Sequence, residues 1–212
     1  MNNMIRVSAF AAFVCLAAAS APALADQIPA APGFVPNGET GDYFIADDGQ
    51  SFIATTFTLT GASHVSGIGG VFTQFGDSGS VFGAILAAPL DQTTVTGASL
   101  PGLALAHTVF AAPTDGSDFS TALSLDLGPG TYELIFGSGL WGANGNSGLA
   151  TGMDGVAALL RSTDGGASWD SISDSVRMTV DVSPVPLPAS LPLLASGLAS
   201  LGAFVRRRAQ RA

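Results

Sequence analysis

The sequence contains no lysine, a single cysteine and only two histidines. The cysteine, Cys15, lies in an apolar stretch near the N-terminus, so the rest of the chain can form neither a disulfide nor a thiolate metal site. His64 and His107 both fall within runs that predict β-strands, which favours a packing or surface role over a catalytic one. No GxSxG, HExxH or phosphate-loop motif is present. These absences argue against a hydrolytic triad, a zinc centre and a nucleotide-binding loop.

The charge of the chain is strongly one-sided. All 16 acidic residues lie between positions 26 and 181, where Arg161 and Arg177 are the only lysine or arginine residues. An acidic surface repels phosphate backbones, which excludes nucleic acid as a partner. Carboxylates in turns are also suitable calcium ligands, and Asp47 and Asp48 are the candidates, although no segment has EF-hand spacing. Because aspartate and glycine are equally common in ordinary turns, the sequence predicts no required metal or cofactor.

The N-terminus predicts a secretory signal peptide. Arg6 provides the positive charge, Val7–Ala19 form a short apolar run, and Ala23 and Ala25 place small residues where a signal peptidase reads them. We therefore expect the general secretion machinery to export the chain, with cleavage between Ala25 and Asp26. A retained membrane anchor is the alternative, which the shortness of the apolar run disfavours.

Between the two ends, the sequence predicts an all-β protein. Short runs rich in Phe, Val, Ile and Thr are separated by Gly, Asp, Asn and Pro, and no run has a convincing helical period. Residues 26–40 predict an extended lead-in, and residues 41–182 predict the folded ectodomain. The eight predicted strands are Ser51–Thr60, His64–Phe75, Gly79–Ala87, Leu103–Ala111, Phe119–Leu127, Thr131–Gly137, Val156–Ser162 and Val176–Val182.

Eight strands with one apolar face each predict two antiparallel sheets packed face to face, in a jelly-roll-like sandwich. An up-and-down barrel is the structural alternative. Alternation indicates which side chains point inward, for example Phe57 and Leu59 in the first predicted strand. Gly128-Pro129-Gly130 separates two alternating runs, Leu123–Leu127 and Tyr132–Phe136, and this pattern predicts a hairpin.

The segment STDGGASWD, Ser162–Asp170, resembles the Asp-box, a β-hairpin found in sialidase propellers and other secreted β proteins. Its S-x-D-x-G-x-[ST]-W pattern is matched by Ser162, Asp164, Gly166, Ser168 and Trp169. The resemblance implies a hairpin in which Asp164 accepts amide hydrogens of the turn and Trp169 anchors the turn on the sheet. It implies no sialidase activity, because the chain has one copy and no arginine cluster for a carboxylate.

One further aromatic residue predicts a binding site. Trp141, in GSGLWGANGNSG, is surrounded by glycines and followed by Asn144 and Asn146. A tryptophan on such a loop is a candidate for stacking on a sugar ring, with the two asparagines beside it as glycan contacts. A tryptophan packed over the edge of the sandwich is the alternative.

The C-terminal 28 residues differ from everything before them. The proline motif Val185–Ala189 is followed by Ala189–Val205, a stretch without charge that is just long enough to predict a transmembrane helix. Arg206, Arg207 and Arg208 come next, and basic residues stay on the cytoplasmic side as a stop-transfer signal. The tail therefore predicts a segment that halts an exported chain in the inner membrane.

This order of features resembles the PEP-CTERM sorting signals of Gram-negative bacteria, in the VPLPA variant. The resemblance rests on the residues Val185, Pro186, Leu187, Pro188 and Ala189, together with the apolar segment and the arginine cluster. Leu187 stands where the commonest form of the motif has glutamate. The resemblance implies that residues 183–212 form a sorting signal. It also implies that an exosortase, a membrane protease/transpeptidase, recognises the proline motif and processes the chain.

The sequence thus predicts an exported, non-enzymatic protein of the cell surface or extracellular matrix. It would pass through an inner-membrane-anchored precursor and would contact exopolysaccharide. The alternative is a secreted hydrolase that acts on a glycan or an ester through an unrecognised carboxylate site.

Overall fold

The structure is a computed structural model of the 212-residue chain. It describes residues 26–32, 41–45, 51–73, 79–87, 95–113 and 115–185. The predicted signal peptide and transmembrane segment, the calcium candidates Asp47 and Asp48, and positions 186–212 lie outside these residues. Within the described ranges, no helix has the length and apolar character needed to cross a membrane.

The described residues form ten strands and one short helix. In chain order they are β1 Asp26–Pro32, β2 Gly41–Ile45, β3 Phe52–Leu59, β4 Ser63–Thr73, β5 Ser80–Ala87, α1 Leu100–Leu103, β6 Ala104–Ala111, β7 Asp115–Leu127, β8 Gly130–Gly137, β9 Ser147–Ser162 and β10 Asp170–Pro184.

All strand pairs are antiparallel, and they form two layers. The first layer has the order β1-β10-β4-β7, and the second has the order β3-β8-β5-β6. The long strand β9 joins the layers, because it pairs with β2, β3, β4 and β10. The all-β antiparallel sandwich predicted from the sequence is therefore confirmed. The up-and-down barrel is wrong, since most neighbouring strands are not consecutive in the chain.

The main core lies between the two layers. Phe72 on β4 makes edge-to-face contacts with Phe136 on β8 and Phe110 on β6, at centroid distances of 5.1 and 5.4 Å. Such contacts add to the stabilisation from burying the rings. As predicted, Phe57 and Leu59 are buried in this core, while the threonines between and after them are exposed.

A second, smaller core covers the outer face of the second layer. It contains Phe52 from β3, Phe82 from β5 and Ile135 from β8, all fully or almost fully buried. Leu100 of the helix α1 and Trp169 close over these side chains from connecting segments. The second layer carries aromatic and aliphatic residues on both of its faces, so each face must be shielded from water. The segments that shield its outer face position the candidate site.

The structure differs from the predicted strands at several ends. Asp26–Pro32, predicted as an extended lead-in, forms β1 and pairs with β10, and Gly41–Ile45 forms β2. β9 and β10 are each about twice as long as predicted, because their first halves are rich in Gly, Ser and Asp residues that interrupt the apolar alternation. β10 also continues through Pro184, and the backbone N–H of Val185 donates to the Ala62 carbonyl at 3.0 Å. Pro184 is tolerated because it stands at the end of the strand.

The hairpin predicted around Pro129 is wrong. β7 pairs with β4 in the first layer, whereas β8 pairs with β3 and β5 in the second. The turn therefore carries the chain from one layer to the other. Both runs alternate correctly because Leu123 and Leu127 reach the main core from one side, and Leu134 and Phe136 reach it from the other. Alternation indicates which face is buried, but it does not identify the pairing partner.

Candidate functional site

The loop that carries Trp141, residues 138–146, connects β8 to β9 over the outer face of the second layer. We call it the Trp141 loop. The Gly139 N–H donates to the Ala143 carbonyl at 2.8 Å, and the Gly145 N–H donates to the Ser80 carbonyl at 2.7 Å. These bonds close the loop on itself and tie its end to β5. The position of Trp141 is thus set by backbone contacts.

Trp141 has an unusual backbone conformation. Its φ is 51°, and the flanking Gly139 and Gly142 both have φ of 86°. A positive φ is uncommon for a bulky residue and costs roughly 1–2 kcal/mol. Among the described residues, Trp141 is the only non-glycine with positive φ. The loop keeps this strained residue in a position where its side chain reaches β6.

The indole ring of Trp141 stacks on the imidazole of His107. The two rings are 4.5 Å apart at an interplanar angle of 14°, and Phe82 meets the indole edge-to-face at 4.8 Å. His107 is exposed on β6, and Trp141 remains partly exposed above it. The ring therefore packs over β6 at the edge of the second layer and still presents surface to solvent.

The two asparagines predicted as glycan contacts lie on the same loop. The amide oxygen of Asn144 accepts a hydrogen bond from the Ser80 hydroxyl at 3.2 Å, and the backbone N–H of Asn144 donates to the Ser80 hydroxyl oxygen at 3.3 Å. Asn144 is exposed, and Asn146 is half-buried where the loop enters β9. The bond to Ser80 fixes the orientation of the Asn144 amide.

The segments described around Trp141 lack the strongly charged residue types. Neither the Trp141 loop nor the segment from 95 to 113, which includes β6, contains Asp, Glu, Lys or Arg. Elsewhere this protein is strongly acidic, so the surface around Trp141 stands apart from the rest. It suits a ligand recognised by stacking and hydrogen bonds to neutral groups.

The sequence did not predict that His107 stacks on Trp141. It placed His107 on a strand as a packing or surface residue, which is correct, but gave it no partner. The sequence does indicate that His107 shares a face of β6 with Leu105 and Val109, because side chains two residues apart point the same way. That face points away from the main core. The stacking depends on where the Trp141 loop crosses the sheet, and the sequence near either residue does not predict that position.

The Asp-box-like segment forms the turn between β9 and β10, as the predicted hairpin requires. Asp164 accepts hydrogen bonds from the Ser168 hydroxyl at 2.6 Å, the Ser168 N–H at 2.9 Å and the Ser162 hydroxyl at 2.9 Å. The Ser162 hydroxyl oxygen accepts in turn from the Gly166 N–H at 2.7 Å. Residues 162–169, which we call the Trp169 turn, are thereby closed by their own side chains.

These hydrogen bonds change the pKa of the Asp164 carboxyl. The hydrogen bonds from Ser168, and then that from Ser162, favour the ionised carboxylate and hold the pKa of Asp164 below its ordinary value. Trp169 is 93% buried, and its indole N–H donates to the Val95 carbonyl at 3.1 Å. Through this hydrogen bond, the Trp169 turn holds the 95–103 segment, which leads into β6, against the sheet.

A histidine and a carboxylate also meet at the far side of the molecule. His64 on β4 and Asp126 on β7 are cross-strand neighbours, with Nδ1 2.6 Å from Oδ1. Both side chains are substantially exposed. A His–Asp pair is one part of a hydrolytic triad, which also needs a nucleophile against the other imidazole nitrogen.

No group of three or more histidine, cysteine, aspartate or glutamate side chains suited to a metal occurs in the part of the chain that the structure describes. Outside that part lie the cleavage site at Ala25, the residues Pro186–Ala189 of the sorting motif, and Arg206, Arg207 and Arg208. Val185 is described and is 41% exposed.

The fold and the site together define an antiparallel β-sandwich with a neutral aromatic surface on the outer face of one layer. No protein-family model and no curated protein matches the chain. Among solved structures, the infectious bursal disease virus VP2 subviral particle shares 13% identity over 87% of this chain and 49% of its own, with a TM-score of 0.31. The Gx strain of that virus gives 13% identity, 92% and 48% coverage, and a TM-score of 0.29. The chain spans less than half the length of these proteins.

Proposed function

We propose that this chain is an exported, non-enzymatic protein of the cell surface or extracellular matrix whose jelly-roll-like sandwich contacts exopolysaccharide. The observation that carries the proposal is the stacking of the partly exposed Trp141 on His107 within a neutral surface. An exposed indole face packs well against the C–H face of a pyranose. The amides of Asn144 and Asn146 supply hydrogen-bond donors and acceptors for sugar hydroxyls.

The strand orders support the jelly-roll-like assignment. The chain moves from β3 in the second layer to β4 in the first, returns to β5 and β6, and then crosses to β7 and back to β8. Two four-stranded layers connected in this interleaved way are typical of a double Greek key. In such a fold, the loops and outer faces are free to carry a binding surface.

The tail supports the delivery route. In this proposal the general secretion machinery exports the chain, the apolar segment 189–205 holds the precursor in the inner membrane, and an exosortase processes it at the proline motif. The last described hydrogen bond of the sandwich joins Val185 to Ala62. Val185, the first residue of the motif, is thus joined to the sandwich, and the rest of the motif follows it directly in the sequence.

The binding half is tested on a polysaccharide array with the full-length chain. Trp141→Ala removes the stacking surface, so we expect binding to fall at least tenfold. His107→Ala removes only the support beneath the ring, and we expect a smaller loss. Ser124→Ala, an exposed change on β7, is the control. Equal binding by the wild-type chain and Trp141→Ala would refute the proposed contact.

The delivery half is tested by precursor size and membrane fraction in hosts with and without an exosortase. Replacing Pro186 and Pro188 should leave membrane insertion intact and block cleavage. Leu198→Arg should let the precursor pass the membrane unprocessed, since a central charge costs about 2.5–3.5 kcal/mol on insertion scales. Replacing Arg206, Arg207 and Arg208 with alanine should weaken retention. A wild-type tail that stays attached in both hosts would make this segment an ordinary anchor.

The contact between His64 and Asp126 favours a second candidate, a secreted hydrolase that acts on a glycan or an ester. In that case the imidazole would act as base and Asp126 would orient it. Turnover of a glycoside and ester panel that is lost in His64→Ala and kept in Trp141→Ala would support this candidate over the first.

A further inference from the structure

Strand β6 presents apolar side chains to solvent on the outer face of the second layer. Leu105 and Val109 are 46% and 39% exposed, and Leu103, just before the strand, is 46% exposed. His107 lies between Leu105 and Val109 on the same face. Contiguous exposed apolar surface of this kind usually marks an interaction site.

The same strand is also an edge of its layer. Among the described strands, β6 pairs with β5 alone, so one side of its backbone has no strand partner there. A free edge with apolar side chains is a template for pairing with another strand. Two independent properties of β6, its edge position and its exposed side chains, thus point to the same use.

The other edge strands differ from β6 in charge. β1 begins at Asp26 and contains Pro29, β2 contains Asp42, and β7 contains Asp118 and Asp126. Charged residues and prolines on edge strands are the usual means by which proteins prevent pairing between copies. β6 contains no Asp, Glu, Lys, Arg or Pro, so it lacks the features that usually discourage a second strand.

Charge also decides which partner fits. Two copies of an acidic chain repel each other wherever carboxylates face one another, and they approach most easily through a surface without charge. The segment from 95 to 113 contains no Asp, Glu, Lys or Arg. A basic partner would be attracted instead to the acidic edges. The neutral edge therefore favours a second copy of this chain.

We propose that β6 pairs in antiparallel orientation with β6 of a second copy about a two-fold axis at His107. This register continues the second layer from one copy into the next and keeps the outer faces on the same side. Leu105 of each copy then lies beside Val109 of the other on the outer face, so these apolar side chains contact each other and lose part of their exposure. A single eight-residue strand gives an interface smaller than about 800 Å² per partner, so the dimer forms and dissociates with concentration.

Disulfide trapping tests the register in the full-length chain, with Cys15→Ser removing its only thiol. Leu105→Cys/Val109→Cys should give a covalent dimer on oxidation, because directly opposed residues have Cα atoms about 4.5–5.5 Å apart. Within one copy these two positions are about 13 Å apart along the strand and cannot bond. Leu105→Cys alone is the matched control, since the two copies of position 105 are also about 13 Å apart. Equal dimer yields from both variants would overturn the register.

Molecular mass measured by light scattering in a nonionic detergent tests the interface itself. We expect a dimer whose fraction rises with concentration, and we expect Val109→Lys to be monomeric at concentrations where the wild-type chain is dimeric. Ser124→Lys adds the same charge on β7 and should leave the dimer intact. A monomeric wild-type chain, or a dimer that persists in Val109→Lys, would overturn the proposal. Neither readout involves a sugar, so this inference stands or falls separately from the proposed function.

Discussion

The two tryptophans of this protein lie over the same outer face, yet they are held in different ways. Trp169 is 93% buried, its indole N–H is bonded to a carbonyl, and a turn closed by its own hydrogen bonds positions it. Trp141 is partly exposed, stacks on an exposed histidine and adopts a strained backbone. The first arrangement is what stability requires. The second retains strain and exposure that stability alone would remove, which is the pattern expected of a binding residue.

Trp169→Ala should give the largest loss of stability. The substitution leaves a cavity against Phe52, whose ring centroid is 6.1 Å from that of Trp169, and it leaves the Val95 carbonyl without its donor. We expect the free energy of unfolding to fall by about 3–5 kcal/mol. Urea denaturation followed by far-UV circular dichroism measures this loss. A loss below that of Trp141→Ala would contradict the contrast between the two tryptophans.

The Trp169 turn and the Trp141 loop each contain a glycine with positive φ, and substituting these glycines compares how tightly the two segments are packed. Gly166, in the Trp169 turn, has φ of 79°, and a Cβ there would meet the backbone nitrogen of Gly97. Gly142, in the Trp141 loop, has φ of 86°, and a Cβ there would meet open space. Gly142→Ala should cost about 1 kcal/mol from backbone strain alone.

Gly166→Ala adds a backbone clash to the same strain and should cost more, because the 95–103 segment must move. Thermal unfolding of the two variants side by side measures the difference. Equal shifts in Tm would mean that the Trp169 turn is not packed as tightly as the structure describes.

The sequence predicted the outer face less well than the main core. Alternation identified Phe57, Leu123 and Phe136 as inward residues because each strand has one regular apolar face in the sandwich. It failed on pairing at Pro129, since the burial pattern is the same for a hairpin and for a crossover between layers. The first halves of β9 and β10 were not predicted as strands, because glycine and serine residues there interrupt the alternation.

The candidate site was predictable in part. Glycines around Trp141 and the following asparagines are local signals of an exposed loop, and the S-x-D-x-G-x-S-W pattern is a local signal of a turn. The stacking partner His107 lies on a different strand and becomes a neighbour only through the tertiary crossing of the loop. Local patterns thus identified which residues are unusual, and only the fold identified what they contact.

The stability of the Trp169 turn should depend on pH. The folded-state pKa of Asp164 is lowered from 3.8 by its hydrogen bonds to Ser168 and Ser162. A lowered pKa contributes stability that is fully present above the unfolded value and is lost as the pH falls through the folded one. The contribution is therefore intact at neutral pH and declines below about pH 4.

Asp164→Asn should thus reduce the loss of stability between pH 7 and pH 3 relative to the wild-type chain. Asp170→Asn, the same charge change at the start of β10, is the control. Urea midpoints at the two pH values measure the effect. The same decrease in the wild-type chain and in Asp164→Asn would show that other carboxylates account for the acid sensitivity.

The smallest expected effect on stability belongs to Trp141→Phe. A phenyl ring keeps the stacking on His107 and the edge-to-face contact with Phe82, and each aromatic pair contributes only about 0.5–1.5 kcal/mol beyond burial. We expect a change in the free energy of unfolding within about 1 kcal/mol. A smaller ring also offers less surface to a sugar, so polysaccharide affinity should fall while the fold is unchanged. Isothermal titration with the polysaccharide selected on the array, beside urea denaturation, separates these quantities. If stability falls as far as it does in Trp169→Ala while affinity is unchanged, Trp141 packs the sheet edge as Trp169 does.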